Sequence, residues 1–365
     1  MYKIANLIWL PIQLSLKQPF KTAQQYTTNR ELTLIKLTVV DTISHLTAVG
    51  IGEVQSFTDF GYALENQRTS REIITSIITP FIKTIAFHTP IEFADQLANQ
   101  IPHGSFAKAG VEMAVWDAIG QLTQQSLREM VNGVNLQVPV GIALGVNSSP
   151  TEIKQAMVDG YRRIKLKITP EVLRQLKAQH YFEHFPEQKF SLDANGSFAQ
   201  SPNELLYDLP QNICFIEQPF TSHDFVRHAA FQAKTKQVLS LDESINNLDD
   251  IKTLIALQAA QAVTIKQGKI GGITAALRAI KLCHQAGIRP WIGGMLSSNI
   301  GRAVDLALAS LPEIAFPSDI SDSQRYFEQD VSETSFTQEN GFIAVPNQPG
   351  IGIKLYQEID DRLAF

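Results

Sequence analysis

Five short apolar runs, IKLK, FSLD, CFIE, LSLD and VTIK, end in turn on Lys167, Asp193, Glu217, Asp242 and Lys266, with steps of 26, 24, 25 and 24 residues between them. One parallel strand, its crossover helix and two loops consume such a length, so the landmarks read as the same level of five successive βα units. Unbroken apolar runs suit strands covered on both faces, as parallel sheets are. In a closed barrel of such units the carboxyl ends of the strands share one mouth, where loops build a site. Three acids in a row, with a lysine on each flank, would converge there. A single acid at a strand end is ordinary, because it caps a helix or pairs with a surface lysine. Three on consecutive strands call for a shared role.

The surrounding chain supplies the rest of a barrel. Val138–Val146 reads as its first strand, and the lysine strand, the three acid strands, the Lys266 strand, RPWIGGM and IAFPSDI follow, eight strands with seven helices between them. The expected fold class is therefore α/β, a (β/α)7β barrel. Such a barrel takes roughly 250 residues, so a chain of 365 predicts a second, smaller domain. We expect an α+β capping domain over 1–125, the barrel over 126–320, and a tail, 321–365, that returns to the amino-terminal sheet.

In the amino-terminal part, LTLIKLTVV and AVGIGEV have the β-branched content of strands. Ile73, Ile74, Ile77, Ile78, Phe81 and Ile82 form a helical stripe that Pro80 should kink or end. Pro90 opens a further helix, and Ser105 is the expected cap of the alanine-rich KAGVEMAVWDAIGQL, whose small residues predict close packing. The stretches 18–29 and 56–69 lack either periodicity and read as loops of the kind that cover a site.

The charged fraction, 18%, and the hydrophobic fraction, 44%, are those of a globular enzyme, and a net charge of −5 without a basic cluster excludes a nucleic-acid partner. Lys3 followed by IANLIWL resembles the start of a signal peptide. Gln13 and Lys17 follow with no small-residue cleavage site, however, and no apolar span reaches about 20 residues. A first strand, a cytoplasmic location and no membrane partner are expected, while assembly into a homo-oligomer is left open. Cys214 and Cys283 lack C-x-x-C spacing and read as buried reduced thiols.

Three carboxylates without a neighbouring His or Cys make an all-oxygen site that suits Mg²⁺, with Mn²⁺ as substitute, and is wrong for zinc. Without a cation the acids would repel one another and their pKa values would rise. Lys165 and Lys167 lie two apart on a strand and leave the same face. A cation next to Lys167 should lower its pKa and leave an amine that takes a proton. Lys266 arrives from the opposite flank, to move a proton or to stabilise an anion by its charge. Asn195 shares the face of Asp193. The implied chemistry is removal of a proton α to a substrate carboxylate, giving an enediolate that preorganised positive charge stabilises more than the substrate.

At these residues the chain resembles the enolase superfamily, in its muconate-lactonising subgroup. The resemblance runs through KAGVEMAVWDA, KLK, LDAN, IEQP, LDES, IKQGKIGG, GGMLSSNIGRA, PSDISDSQRYFEQD and VPNQPGIGI. A lysine base beside Mg²⁺ is the established pattern of that superfamily. The resemblance implies a modified TIM barrel with a capping domain, Asp193, Glu217 and Asp242 as Mg²⁺ ligands, Lys167 as base and Lys266 opposite it. Substrate or supporting contacts would come from Lys165, Asn195, Gly294, Met295 and Ser297, with Tyr62 and Phe20 as further candidates. GGML with IGRA, and the SDI…RYF…D tail, look most like the o-succinylbenzoate synthases and the related N-acylamino acid racemases. The implied reaction is syn-dehydration of 2-succinyl-6-hydroxy-2,4-cyclohexadiene-1-carboxylate, a step of menaquinone synthesis. Two positions depart from those relatives: Ser297 stands for a glutamate, and Asn299 for a glycine.

Other readings of the same residues are a racemase or epimerase using both lysines as bases, a Schiff-base enzyme, and a binding protein on the same fold. A dipeptide epimerase is disfavoured because Asp319 and Asp322 stand three apart, with no Asp-x-Asp at the eighth strand. His103, His223, His228 and His284 have no metal-binding spacing, and Trp9, Trp116 and Trp291 read as core.

Overall fold

The computed structural model describes residues 1–21, 26–145, 148–201 and 203–364, with the backbone alone described at 20, 21, 26 and 27. Strands β1 (Tyr2–Lys21), β2 (Tyr26–Asp41) and β3 (Thr47–Val54) form an antiparallel sheet in that order. Much of the stretch 18–29 is strand rather than loop, since Phe20 pairs with Thr27 and Lys21 with Tyr26. Cross-strand backbone bonds form whatever the side-chain pattern. Residues 22–25 and the Phe20 side chain lie outside the described residues.

The helix Ser105–Thr123 lies across this sheet and is buried on nearly every side. Its small residues do what their pattern suggests. A Cβ on Gly50 would stand 1.9 Å from the Ala114 carbonyl oxygen, and one on Gly52 2.1 Å from that of Gly110, so strand and helix meet backbone to backbone. Two acids on the helix join it to three other segments. Asp117 accepts the amides of Ile51 and Ile351, each at 2.9 Å, and Glu112 accepts the Thr274 amide at 2.8 Å and the Trp116 indole at 2.9 Å. Ser105 is not the cap. Gly104, at φ +77°, holds that place without a side-chain bond, and the amides of Phe106 and Ala107 go to the Glu65 carboxylate at 3.0 and 2.8 Å. Over residues 67–82 the chain stays helical. The expected break at Pro80 is taken up by a π-helical segment, Ile74–Ile78, between the α-helical turns Gln67–Ile73 and Thr79–Ile82.

After β4 (Gln137–Pro139) come β5 (Gly141–Leu144), β6 (Arg163–Lys167), β7 (Phe190–Asp193), β8 (Ile213–Glu217), β9 (Leu239–Leu241), β10 (Ala262–Ile265) and β11 (Arg289–Ile292). The last seven form one parallel sheet in sequence order. The expected eighth strand is not regular. Its residues close the barrel by single bonds, Gly141 N to Ser318 O at 2.7 Å and Asp319 N to Ile292 O at 3.0 Å, and Pro317 removes one ladder donor. The stretch expected as one first strand is two, because β4 pairs outside the barrel; residue 146 is not among the described ones. The crossover between β7 and β8 also departs from expectation. Among the described residues it carries a 3₁₀ turn, Asn203–Leu206, in place of the expected helix, and Asp208 at φ +53° turns the chain out of helical conformation.

In the tail, β12 (Gln338–Glu339) and β13 (Phe342–Ala344) pair with β4 at the foot of the barrel rather than extending the amino-terminal sheet. Neighbouring segments do reach that sheet, through Lys17 N to Tyr326 O at 2.8 Å and the Lys36–Asp360 ion pair at 2.7 Å. Cys214 and Cys283 are free thiols, Cys283 buried and Cys214 only half-buried, and Trp116 and Trp291 are core residues whereas Trp9 is only half-buried. No helix among the described residues is long and apolar enough to cross a membrane.

The contact between β3 and the long helix gives a direct test. Gly52→Ala should lower the unfolding free energy by about 1–3 kcal/mol, the usual cost of overpacking, read by urea denaturation. An unchanged midpoint would mean that the two backbones are not held at this distance.

Candidate active site

Alternation along β6 sends Arg163, Lys165 and Lys167 into the barrel at three successive levels. All three are buried. Arg163 lies at the foot, with its guanidinium 4.6 Å from the Trp291 ring and 5.2 Å from that of Phe215, and it reaches Asp319 Oδ1 at 2.7 Å. One level up, Lys165 Nζ stands 2.6 Å from Asp319 Oδ2, 3.0 Å from Glu217 Oε2 and 3.2 Å from Asp193 Oδ2. At the mouth, Lys167 Nζ donates to Asp193 Oδ2 at 2.6 Å and to Asn195 Oδ1 at 2.7 Å. The register carries out what the spacing predicts: Lys167 is paired with Asp193, and Asp193 with Glu217, directly across neighbouring strands.

The opposite flank is built just past β9 and β10. Lys266 Nζ donates to Asp242 Oδ2 at 2.7 Å and to the Tyr62 hydroxyl at 2.8 Å, and that hydroxyl donates to Asp242 Oδ1 at 3.0 Å. Tyr62 belongs to the aperiodic stretch 56–69, which covers the site as its composition suggests. Phe57 packs edge-on against it, with ring centres 5.6 Å apart. A Cβ on Gly293 would stand 2.9 Å from Lys266 Cε, so the glycine makes room for that lysine. Gly294, Met295 and Ser297 line the same cavity, and Ser297 Oγ accepts a bond from Gln55 at 2.8 Å. Glu217 lies just beneath, fully buried, held by Lys165 and by the Thr264 hydroxyl at 2.9 Å.

The charges are unevenly settled. Burial alone would push the Asp193 carboxyl up, but Lys167 and Lys165 outweigh it and bring it down to about 2. Lys266 and Lys269 likewise hold Asp242 below its ordinary value against burial. Glu217 goes the other way. Burial, then Asp193, with Asp242 and Asp319 adding to it, lift it from 4.5 to about 8 despite Lys165. Burial pulls the Lys266 ammonium down, yet Asp242 leads the charges that raise it above its usual value.

Family comparison decides the ancestry of this arrangement. The model described as enolase C-terminal domain-like matches residues 150–359, and that of the mandelate racemase / muconate lactonizing enzyme N-terminal domain matches residues 5–132. The chain belongs to the enolase superfamily. Among superfamily relatives, the o-succinylbenzoate synthase of Bacillus subtilis is 33% identical to it over 98% of this chain and 96% of its own length. An N-succinylamino acid racemase of Thermus thermophilus is 31% identical over 97% and 95%. The crystal structure of an enolase-superfamily member from Listeria innocua superimposes with a TM-score of 0.91 at 29% identity, covering 99% of this chain and 97% of its own. The parallel barrel under an antiparallel cap is thus the superfamily's own architecture.

Enzymes of this superfamily generally use a divalent metal, and the residues present fit one. Among the described residues no three His, Cys, Asp or Glu side chains close on a single point as they stand, because the acids face ammonium groups instead. The donor set is nevertheless all oxygen, as a hard cation requires. Glu217 carries acid repulsion that a cation would relieve. Glu243, beside Asp242, keeps a buried Oε2 without any partner, while its Oε1 takes the Asn195 amide at 2.7 Å. Asp193, Glu217 and Asp242 are the groups that could hold the ion.

Sequence reasoning passed over Asp319, Glu243 and Lys269. Asp319 ends the eighth apolar run as the other acids end theirs, a signal that was there to be used. Glu243 was hidden because strand alternation stops at Leu241. Lys269, which donates to the Asp242 carbonyl oxygen at 2.7 Å, sits on a one-turn helix that no periodicity announces.

A carboxyl raised on folding binds protons in the folded state that it lacks in the unfolded one, so its contribution to stability falls as pH rises. The metal-free protein should therefore lose stability between pH 4.5 and about 8, the window set by Glu217. Glu217→Gln should flatten that slope, and so should a saturating divalent salt in the wild type. Thermal melts across pH measure it; a slope unchanged by either would remove Glu217 from the electrostatic centre of the site.

Proposed function

We propose that this chain is an o-succinylbenzoate synthase, a hydro-lyase that removes water in a syn sense from 2-succinyl-6-hydroxy-2,4-cyclohexadiene-1-carboxylate. The observation that carries the reading is one buried lysine on each flank of the acid row, Lys167 against Asp193 and Lys266 against Asp242, in a chain similar over its full length to synthases of that name. A divalent ion held by Asp193, Glu217 and Asp242, Mg²⁺ or its substitute Mn²⁺, supplies positive charge beside the substrate carboxylate.

The protein's own groups do the rest. Asn195 Oδ1 orients Lys167 Nζ toward the cavity, and Lys167 Nζ takes the proton from the carbon α to the carboxylate. The Lys266 ammonium, fixed by Asp242 and Tyr62, faces the negative charge that develops as the enediolate forms. Lys167 then returns its proton to the departing hydroxyl, so that one hydrogen and one hydroxyl leave as water from the same face. Phe57 and Tyr62 shield these charges from solvent. The reading places the reaction in the cytoplasm, as a step of menaquinone synthesis.

A racemase that uses both lysines as bases is the second reading, favoured by the similarity to N-succinylamino acid racemases. It asks Lys266 to give up its proton, whereas the charges around it hold the ammonium form.

Loss of the cyclohexadiene absorbance upon addition of protein and Mg²⁺ tests the proposal directly. Turnover should be abolished by EDTA, Lys167→Ala should reduce kcat by about 10²–10⁴-fold, the range for removing a positioned acid or base, and Lys266→Ala by about 10²–10³-fold, the range for removing a group that stabilises developing negative charge. No dehydration with Mg²⁺ present would reject the synthase. Deuterium uptake at Cα of N-succinylamino acids under the same conditions would then support the racemase.

A further inference from the structure

The cavity wall carries two polar side chains that the chemistry above leaves unused. Arg302 and Asp305 stand three apart on the helix Asn299–Ala309, on one face of it, and both line the cavity. They are 4% and 5% exposed. Arg302 Nη1 bonds to Asn299 Oδ1 and, at 3.4 Å, to Ser323 Oγ, and its nearest acid, Asp330, stands 4.0 Å away. Among the described residues its Nε and Nη2 take no hydrogen bond, and the Asp305 carboxyl takes neither a hydrogen bond nor an ion pair. Buried polar groups are seldom left unmatched, because each unmade bond costs desolvation. Two of them, side by side and open only to a cavity, are set to meet a polar group of the ligand.

We propose that Arg302 and Asp305 form a subsite for a second carboxylate of the substrate, the distal carboxylate of a succinyl group, so that the site selects succinyl-bearing acids. This rests on the function proposed above and extends it to the far end of the substrate. The guanidinium edge matches a carboxylate in shape and charge. Asp305 supplies the complementary donor. Burial, and then Glu53 behind it, lift its carboxyl well above the ordinary range against the pull of Arg302 and Lys266. Glu53 is itself lifted to about 7 by burial, with Ser298 as its hydrogen-bond partner. A protonated carboxyl donates a hydrogen bond where an ionised one would repel the ligand. The dehydration substrate and the N-succinylamino acids share the succinyl group, so one subsite serves both.

Calorimetric binding of o-succinylbenzoate and of 2-butanoylbenzoate, which carries a methyl in place of the distal carboxylate, separates this subsite from the reaction. The wild-type protein should prefer o-succinylbenzoate by about ten- to a hundredfold, the worth of a charge-assisted bond. Arg302→Gln should bring the ratio close to one, while Asp305→Asn, which keeps a donor, should leave it near the wild-type value at pH 7. A wild-type ratio near one overturns the subsite even if Arg302→Gln fails to fold. Tighter binding of o-succinylbenzoate by Asp305→Asn would overturn the donor role of Asp305. If the preference holds but dehydration is absent, the synthase reading falls and the subsite stands. If dehydration proceeds without the preference, the subsite alone falls.

Discussion

The Lys165 ammonium, buried between Asp193, Glu217 and Asp319, is the contact on which the barrel mouth depends. Charges taken out of water are tolerated only when paired and hydrogen-bonded, and removing one member leaves its partners stranded. Arg163 below, Lys167 above and Lys266 across the mouth extend the same pairing to Asp319, Asp193 and Asp242, while the second oxygen of Glu243 is left over and Glu217 remains lifted toward its neutral form. The interior therefore holds a balance of charge with a slight excess of unsettled acid, which is the state that a divalent ion would complete.

That balance needs neighbouring side chains at one level, and the strand register supplies it. Lys167, Asp193 and Glu217 occupy directly paired positions, so no flexible loop has to bring them together. The cap adds Tyr62, which ties Asp242 to Lys266, and the cap is itself fixed by the helix Ser105–Thr123. Asp117 and Glu112 on that helix bond backbone amides of β3, the tail and the barrel, so the position of the lid and the position of the acids are set by one rigid element. Sites carried on rigid elements hold their geometry better than sites carried on loops alone.

The barrel and its charged row were legible because both follow from periodicity: a repeat of about 25 residues, and a side-chain alternation of two along β6. What escaped depends on partners distant in sequence. Ser105 looked like a cap, but the amides it would have served are taken by Glu65, forty residues earlier in the chain, which local pattern cannot reveal. The tail 321–365 meets the amino-terminal sheet at Tyr326 and Asp360 as its turn-and-strand character suggests, but its strand β13 pairs with β4, a choice of partner rather than of local structure. The eighth strand is irregular at Pro317, and the crossover before β8 leaves helical conformation at Asp208, whose φ is +53°. Arg302 lies in the IGRA run that carries the family resemblance, but Asp305 has no such signal, and only the cavity shows that both have bonding capacity to spare.

The central claim is that Asp193, Glu217 and Asp242 share one divalent ion between two lysines. Anomalous diffraction from crystals grown with Mn²⁺ tests it most directly. A single strong peak bounded by those three carboxylates, with Lys167 and Lys266 on either side of it, is the predicted result; Mn²⁺ bound elsewhere, or no peak in a protein that dehydrates the substrate, would contradict it.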